Sequence, residues 1–528
     1  MQFEQPYGSR RSPVLGDNVV ATSQPLAAQA GLDALTAGGN AVDAALAAAI
    51  ALTVVEPTGN GLGSDAFAIV HDGEGLHGLN ASGRSPAAWM PERFSGYEAM
   101  PLSGWESVTT PGAVSAWVAL SERFGALPFP RLFERAIAYA EGGFPVSPVI
   151  ATLWANGARE MREQPGFADA LMPGGQPPRA GERFTNPDQA RTLQRIAASR
   201  GEDFYHGDLA ERIAAAAANN GAALNAHDLA AHRCDWCGTV SLPYGGVRAH
   251  EIPPNGQGIA ALIALGILEH TELREIGPDS VAGLHLQIEA MKLALADAYA
   301  HVADPDHMTV TSAALLDPAY LESRAALIDR DRAGDPGHGT PQPGGTVYLS
   351  AADASGRMVS FIQSNYLGFG SGVVVPGTGI LMQGRAGGFT LEPGHPNRVG
   401  PAKRPFHTII PGFITTGDGA PLTSYGVMGG PIQAQGHVQM VIRMVDFDQN
   451  PQTACDAPRW RVLAERRVAV EEALPESVRS GLADLGHELK VEAPEAAFGF
   501  GGAQVVHRLD GGYVAGSDPR KDGQAVVY

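Results

Sequence analysis

The first part of the chain alternates short apolar segments with apolar segments of helical length. Residues 18–23 (NVVATS) predict a strand, and the apolar spacing of the segment behind it predicts a helix that Ser23 caps. Residues 40–57 (NAVDAALAAAIALTVVEP) are apolar on every face, which predicts a buried helix. Three glycines in 58–70 (TGNGLGSDAFAIV) precede a short apolar strand, so this loop can bring backbone amides close to another group.

The periodicity changes once along the rest of the chain. Between Thr110 and about Arg330, apolar residues recur every three or four positions, which predicts a mainly helical region. The pattern stops at 332–345 (RAGDPGHGTPQPGG), which predicts a mobile surface segment. Five strands are predicted after it: TVYLSAAD, MVSFIQSN, GVVVPG, TIIPGFIT and RVAVEE. A turn at 354–357 (ASGR) joins the first two of these strands.

Composition narrows the classes of function. With 528 residues, 44% hydrophobic and 18% charged, the chain is typical of a globular protein. The formal net charge of -19 argues against nucleic-acid and membrane partners, which require basic patches. No long apolar run follows the two arginines near the start, so we expect neither a signal peptide nor a membrane span, and a cytoplasmic protein.

Neither the cysteines nor the acidic and histidine residues form a metal motif. The sequence has three cysteines: Cys234, Cys237 and Cys455. We expect free thiols in a reducing compartment, because the chain has no second cysteine pair for zinc. A metal-dependent hydrolase is an alternative based on four residues of DAYAHVADPDH: Asp297, His301, Asp304 and His307. Their spacing matches no metal motif and a proline interrupts the helix, so we expect no metal and no cofactor.

Thr346 begins the first strand after the soft segment, and its hydroxyl is a candidate nucleophile if the Gly345–Thr346 bond is cleaved. A free α-amine, with a pKa of about 7.7–8.0, can accept the hydroxyl proton without a separate histidine. The glycines before Thr346 permit the backbone geometry in which the hydroxyl attacks the preceding carbonyl. The alternative is a threonine that only begins a strand.

Seven separated motifs accompany Thr346. In chain order they are GGNAVDAA (38–45), TPGAVSAW (110–117), PPNGQGI (253–259), FGSGVVVPGTGI (369–380), GPAKRPFHTIIP (400–411), GVMGG (426–430) and GSDPRKDG (516–523). Together they resemble the γ-glutamyltransferase (γ-glutamyl transpeptidase) family of N-terminal nucleophile hydrolases, over nearly the whole chain. The resemblance implies a four-layer αββα sandwich of the α/β (α+β) class. It also implies a proenzyme that cleaves itself before Thr346.

The resemblance assigns further roles. The large part, 1–345, and the small part, 346–528, would form one body as a heterodimer, and two heterodimers could pair. Gly429 and Gly430 match the two glycines whose backbone amides stabilise the oxyanion, although two glycines are otherwise typical of a turn. Ser364 matches a hydroxyl that binds the Thr346 amine, although an isolated strand serine is more often structural.

The acyl-binding positions depart from the transpeptidase pattern. Gly388 stands where the resemblance places a carboxylate for the substrate ammonium, and Arg385 lies three residues earlier. Tyr366 replaces an assisting asparagine, with Asn365 displaced by one position, which along a strand turns a side chain to the other face. Because an arginine binds carboxylates and not ammonium groups, we expect an acyl group that lacks an α-amino group.

Three other residues are candidates for substrate binding. Arg84 lies two positions after the expected carboxylate-binding arginine and could reach the pocket from a loop. His407 and Thr408 replace the serine pair of the transpeptidases. A histidine near the nucleophile would change the hydrogen-bond donors and the response to pH, although most histidines lie on the surface or in a core.

These features predict a self-processing amidohydrolase. Its substrate would be a small amide whose acyl group carries a carboxylate, oxamate-like or dicarboxylic, cleaved through an acyl-Thr346 ester. One alternative is a γ-glutamyltransferase or glutathione hydrolase acting on γ-glutamyl amides, in which acyl transfer competes with hydrolysis. Another is an unprocessed, inactive family member that acts as a binder.

Overall fold

The computed structural model describes residues 11–336, 345–493 and 499–528. The strands are β1 Val14–Gly16, β2 Val19–Thr22, β3 Asp65–His71, β4 Leu76–Asn80, β5 Phe144–Pro145, β6 Arg183–Phe184, β7 Asp235–Trp236, β8 Val240–Tyr244, β9 Val247–Glu251, β10 Gly345–Ala352, β11 Met358–Tyr366, β12 Val374–Val375, β13 Ile380–Leu381, β14 Gly412–Thr416, β15 Pro421–Met428, β16 Trp460–Ala464, β17 Arg467–Glu471, β18 Glu488–Glu492, β19 Gly502–Leu509, β20 Gly512–Ser517 and β21 Gln524–Val527. The helices are α1 Pro25–Thr36, α2 Ala41–Val55, α3 Ala113–Phe124, α4 Glu134–Gly142, α5 Pro148–Met161, α6 Phe167–Leu171, α7 Pro187–Ser199, α8 Glu202–His206, α9 Asp208–Asn219, α10 Ala226–Ala231, α11 Gly258–Leu268, α12 Leu273–Ile276, α13 Val281–His301, α14 Ser312–Leu315, α15 Pro318–Ala325, α16 Ile432–Val441, α17 Pro451–Asp456 and α18 Glu476–Asp484.

Two sheets, each of seven strands in the described part of the chain, form the centre of the fold. The β10 sheet has the strand order β21-β2-β10-β11-β3-β4-β7, and the β15 sheet has the order β1-β20-β19-β15-β14-β9-β8. Neighbouring strands in both sheets are antiparallel. Both sheets therefore combine strands from before and after the Gly345–Thr346 bond, where cleavage is predicted.

Alternating side chains build three packed interfaces from these sheets. On β10, Val347 and Leu349 pack against the helices of the first half, whereas Tyr348 faces the β15 sheet. Helices α11, α13 and α16 cover the other face of the β15 sheet. Because each sheet presents successive residues to opposite faces, the order of layers is helix, sheet, sheet, helix. The predicted four-layer αββα sandwich is confirmed.

Helix α2 shows why the alanine-rich segment becomes an interior element. All of its residues are buried, and it packs against α1, α4 and strands β10 and β11. Asn40 begins it with a capping box: its side chain accepts hydrogen bonds from the N–H groups of Val42 and Asp43, and Asp43 accepts one from the Asn40 N–H. Asp43 also accepts a 2.9 Å hydrogen bond from Ala126 N. These bonds satisfy a carboxylate that would otherwise destabilise the interior.

Three sequence predictions are corrected in detail. Gln24, and not Ser23, caps α1, because the Ser23 hydroxyl donates to Glu56 instead. The region predicted to be mainly helical also contributes β5 to β9; of these, β8 and β9 pair along their whole length and β9 also pairs with β14. The segment GVVVPG forms only the two-residue strand β12, outside both large sheets. Most of the predicted mobile segment, 337–344, lies outside the described residues.

Two expectations from the composition concern membrane-spanning segments and free cysteines. Among the described residues, no helix combines the length and the apolar character that a membrane-spanning segment needs. All three cysteines are free, with Cys234 and Cys237 partly buried and Cys455 fully buried.

Candidate active site

An irregularity in strand pairing lies at Thr346. Gly345 on β10 is opposite Tyr366 on β11, and Val347 is opposite Gln363. One residue of β10, Thr346, therefore faces two residues of β11, which is a β-bulge. The bulge allows the Ser364 side chain to approach Thr346 even though the adjacent pairs are in regular register.

The Ser364 hydroxyl connects the groups around this bulge. It donates a 2.7 Å hydrogen bond to the carbonyl oxygen of Gly345, the carbonyl of the predicted scissile bond. It also lies 2.8 Å from Tyr366 N, 3.1 Å from Arg385 Nη2 and 3.2 Å from Thr346 Oγ1. A hydroxyl has one donor and two acceptor positions, so three donors compete for its oxygen. The contact from Thr346 is the longest of the four.

The predicted oxyanion glycines lie in the connection from β15 to α16. Gly429 and Gly430 have φ angles of 125° and 69°, which favour glycine over other residues. No described residue accepts a hydrogen bond from either glycine N–H. Both amides are therefore available to a ligand, as an oxyanion site requires.

Gln433, which the sequence analysis missed, connects this turn to the nucleophile. Its side-chain Nε2 donates a 3.3 Å hydrogen bond to Thr346 Oγ1, and its backbone N–H donates to Gly430 O over 3.1 Å. Gln433 lies in the first turn of α16 and is fully buried. It thus places the two glycines and Thr346 in one compact site.

Arg385 is a fully buried cation beside the nucleophile. Its Nη2 donates to Ser364 and its Nη1 donates to Thr408 Oγ1 over 2.9 Å. Its guanidinium lies 4.7 Å from the ring centroid of Tyr366, in a cation–π contact. Nε is buried without a hydrogen-bond partner among the described residues, and burial lowers the pKa of Arg385 to about 10. At neutral pH the side chain is therefore still charged and has unused donors.

Asp65 and His407 form the second charged layer of the site. Asp65 lies opposite Ser364 on β3, with Oδ2 3.9 Å from Arg385 Nε and 3.1 Å from His407 Nε2. Burial raises the pKa of Asp65 to about 7, opposed by Arg385 and by the Gly83 N–H. Burial, together with the charges of Arg385 and Arg404, lowers the pKa of His407 well below its usual value. His407 is therefore neutral near pH 7.

The motif PPNGQGI fixes the segment that carries His407 and Thr408. Asn255 accepts a 2.8 Å hydrogen bond from His407 N through its backbone carbonyl and donates to Pro405 O through its side chain. The side-chain amide of Gln257 donates to both Thr408 O and Gly430 O, over 2.6 Å and 3.1 Å. These amides couple the acyl-binding segment to the oxyanion turn.

Arg84 does not join this cluster. Its Nη1 donates to Asp304 over 2.7 Å and to Ala402 O over 3.2 Å, and its side chain is 40% exposed. Among the described residues, no hydrogen bond connects Arg84 to Thr346 or Arg385. A role for Arg84 in substrate binding stays a prediction, and it would require the side chain to leave Asp304.

Two of the four residues considered as metal ligands form ion pairs. Asp304 pairs with Arg84, and Asp297 lies 3.0 Å from Arg324. The described residues instead contain one buried group of ligating type: His285, Glu289 and His487. Lys292 Nζ donates to Glu289 over 2.8 Å, and His285 Nδ1 lies 2.8 Å from His487 Nε2. These internal hydrogen bonds use the same atoms that a metal would need.

The structure thus brings most of the predicted residues together. Thr346, Ser364, Arg385 and Thr408 form a chain of hydrogen bonds, Tyr366 stacks on Arg385, and His407 reaches it through Asp65. Their catalytic and binding roles stay predictions. Two residues were missed: Asp65 and Gln433. The available signals were an acidic residue at the start of an apolar strand and a glutamine three residues after a double glycine.

Comparison with known proteins gives similarity along almost the entire chain. The family model described as gamma-glutamyltranspeptidase matches residues 27–528. The chain is 36% identical over 516 residues to the glutathione hydrolase-like YwrD proenzyme of Bacillus subtilis, covering 96% of this chain and 98% of that protein. It is also 36% identical over 518 residues to the oxamate amidohydrolase proenzyme of Klebsiella pneumoniae, covering 95% and 97%.

A solved structure gives the same result for the fold. The crystal structure of cephalosporin acylase from Bacillus halodurans superposes with a TM-score of 0.95 at 46% sequence identity. The match covers 100% of this chain and 99% of that one. The αββα arrangement and the order of the elements are therefore shared along the full length.

The raised pKa of Asp65 predicts a pH-dependent stability. A carboxyl whose folded pKa exceeds its unfolded value stabilises the fold below about pH 4, and this contribution is lost as the pH rises through about 7. We expect the melting temperature of the parent minus that of Asp65→Asn to fall between pH 4 and pH 7 and to level off above. Both proteins would carry Thr346→Ala, so that the nucleophile is absent, and thermal unfolding would be measured from pH 4 to pH 9.

The matched control is Asp208→Asn in the same background. Asp208 is exposed, and hydrogen bonds from Arg195 and Arg212 lower its pKa, so its melting-temperature difference should not fall over this range. A constant difference for Asp65→Asn from pH 4 to pH 9 would show that burial does not control the charge of Asp65.

Proposed function

Since this chain belongs to the gamma-glutamyltranspeptidase family and is an N-terminal nucleophile hydrolase, we propose that Thr346 is its nucleophile. The substrate is a small amide whose acyl group carries a carboxylate. The observation that carries this proposal is the position of Arg385, a buried cation with free donors that only the Ser364 hydroxyl separates from Thr346.

Self-cleavage comes first. Thr346 Oγ attacks the carbonyl carbon of Gly345, the C–N bond breaks, and the hydroxyl proton passes to the departing nitrogen of Thr346. Water then hydrolyses the resulting ester, leaving a carboxylate on Gly345 and a free amine on Thr346. The hydrogen bond from Ser364 to Gly345 O supports this step, because negative charge develops on that oxygen.

Amide hydrolysis then uses the new amino terminus. Thr346 Oγ bonds to the substrate carbonyl carbon, its proton moves to the α-amine, and the carbonyl electron pair becomes an oxyanion facing Gly429 and Gly430. Collapse breaks the C–N bond, and the leaving amine takes the proton from the α-ammonium. Water attacks the acyl ester and regenerates the hydroxyl.

Arg385 is the proposed ligand of the substrate carboxylate. A desolvated guanidinium binds a carboxylate more strongly than an exposed one, because neither water nor counterions compete. The stacking of Tyr366 and the hydrogen bond to Thr408 fix the orientation of the guanidinium in advance. The names of two similar proteins, an oxamate amidohydrolase and a cephalosporin acylase, accord with an amide substrate.

Cleavage would leave a heterodimer of 1–345 and 346–528. In the β10 sheet, β10 and β11 from the small part lie between β2 and β3 from the large part. Strand hydrogen bonds would therefore hold the two parts together after the covalent connection is lost. The free cysteines accord with a cytoplasmic location.

Hydrolysis of γ-glutamyl amides is the second candidate, and one observation favours it. A relative named as glutathione hydrolase-like is 36% identical over 516 residues. A γ-glutamyl group also needs a partner for its ammonium, and Asp65 is the carboxylate beside Arg385. Asp65, however, is fully buried and already accepts hydrogen bonds from Gly83 and His407.

The first test concerns the nucleophile. Thr346→Ala should leave a single chain of 528 residues without amidase activity, because no hydroxyl is available for either attack. The measurement is intact mass with amino-terminal sequencing, followed by an assay with oxamate. Thr423→Ala is the control, since Thr423 is a buried strand threonine that contacts His507, and it should still cleave. The same two fragments from Thr346→Ala would rule out Thr346 as the cleaving group.

The second test concerns the acyl pocket. Arg385→Ala should lower kcat/KM for oxamate about 10- to 100-fold, since a hydrogen bond to a charged group contributes about 1.5–3 kcal/mol. Arg84→Ala is the matched arginine variant and should have a smaller effect, because Asp304 already binds Arg84.

Oxamate, a glutaryl anilide and a γ-glutamyl anilide would be compared for the wild type and both variants. A change below about threefold in both variants would contradict the pocket assignment. A wild-type preference for the γ-glutamyl anilide would favour the second candidate function.

A further inference from the structure

We propose that the side-chain amide of Gln433 is a third donor to the oxyanion, beside the backbone amides of Gly429 and Gly430. The inference rests on the proposed function, in which Thr346 attacks the carbonyl carbon of an amide. It adds a catalytic residue that touches the reacting oxygen and that no turn motif reveals.

The orientation of the Gln433 amide follows from its neighbours. Oε1 accepts a 3.1 Å hydrogen bond from Ile410 N, so the oxygen must face that N–H and the nitrogen must face Thr346. Nε2 carries two hydrogens, and the described residues engage one of them, through Thr346 Oγ1 at 3.3 Å. A second N–H is therefore available within reach of the nucleophile.

Comparison with the other glutamines of α16 separates this contact from ordinary packing. The side chain of Gln435 binds both the N–H and the carbonyl of Val462, and that of Gln439 binds both groups of Trp460. Each of these two amides connects α16 to β16, and each amide nitrogen also donates to the backbone carbonyl four residues earlier. Gln433 accepts from a backbone N–H in the same way, but its nitrogen points at the hydroxyl of Thr346 instead of a carbonyl.

The hydrogen bond that Gln433 donates becomes stronger as the reaction proceeds. When Thr346 Oγ bonds to the substrate carbon and gives its proton to the α-amine, the carbonyl electron pair forms an oxyanion on that same carbon. Oγ becomes an ester-type oxygen, which is a weak acceptor, while the neighbouring oxyanion is a strong one. A small shift moves the N–H of Gln433 from one oxygen to the other, so the interaction strengthens in the transition state.

The contacts of Gln433 also limit how far its side chain must move during the reaction. Its backbone N–H donates to Gly430 O, and its side chain is fully buried between Ile410 and Thr346. The residue lies in the first turn of α16, where the helix dipole favours negative charge. The donor, the two glycines and the helix terminus therefore act on the same side of the site.

The decisive variant is Gln433→Met, which keeps the length of the side chain and removes the amide. We expect self-cleavage to proceed, because Gly345 O accepts its hydrogen bond from Ser364 and not from Gln433. We expect kcat to fall about 10²–10³-fold, with KM within about threefold. The assay would use whichever of oxamate, the glutaryl anilide and the γ-glutamyl anilide the wild type hydrolyses fastest. Gln435→Met, an equally buried glutamine of the same helix, is the control and should keep kcat within about threefold.

A second variant covers the case in which Gln433→Met does not fold or does not cleave. Gln433→Glu donates only when its carboxyl is protonated, and burial favours that form. The ratio of its kcat to that of the wild type should therefore rise as the pH falls from about 9 to about 5. A ratio that does not depend on pH would contradict a donor role for this side chain.

The outcomes separate this inference from the proposed function. A wild-type protein that shows neither a Thr346 amino terminus nor amide hydrolysis would overturn the proposed function. An active wild type, with near-normal kcat in Gln433→Met or a pH-independent ratio in Gln433→Glu, would overturn the role of Gln433 alone.

Discussion

The bulge that sets Ser364 and Asn365 opposite Thr346 is the constraint on which the candidate site depends. In regular antiparallel pairing, residues opposite each other point to the same face, and a shift of one position reverses every later side chain. The extra residue on β11 lets Ser364 reach Thr346 and Gly345 O while the remaining pairs stay in register. The bulge lies between two central strands of a buried sheet, so packing on both faces keeps it in place.

Each buried ionisable side chain around this bulge would destabilise the fold if it had no partner, and the side chains are tolerated because they lie together. Arg385, Asp65 and His407 have no exposed surface. Burial favours the neutral form of each side chain: it raises the pKa of Asp65 and lowers the pKa of Arg385 and of His407. In Asp65, the charge of Arg385 and the hydrogen bond from the Gly83 N–H both oppose this effect, because each lowers the pKa. An incoming carboxylate would complete the set by pairing with donors of Arg385 that already lie in a low-dielectric environment. Thr346 is equally buried in the uncut chain, so substrate entry requires neighbouring groups to move.

Patterns that act locally could be predicted from the sequence, whereas contacts between distant segments could not. The apolar run 40–57 predicts a buried helix without reference to any other segment, and the double glycine at 429–430 predicts a turn. Asp65 meets His407 across 342 positions of sequence, and no spacing rule encodes that meeting. Arg84 is a second example: its role as a substrate ligand stays a prediction, and its ion pair with Asp304, 220 positions away, has no signature in the sequence. Gln433 was hidden because two similar glutamines follow it on the same helix and have structural contacts.

The interleaving of the two parts explains how a chain can be cut inside its own active site and keep its geometry. Gly345 and Thr346 lie at the start of β10, a strand bordered by β2 on one side and β11 on the other. Breaking the bond between them removes no hydrogen bond of Leu349–Ala352 with β2, and α2 still packs on the same strand. The freed end is therefore restricted to the first residues of β10, where the bulge already interrupts regular pairing. The sheet supplies rigidity where Ser364 and Gln433 must meet Thr346, and the irregular end supplies the freedom that a new amino terminus needs.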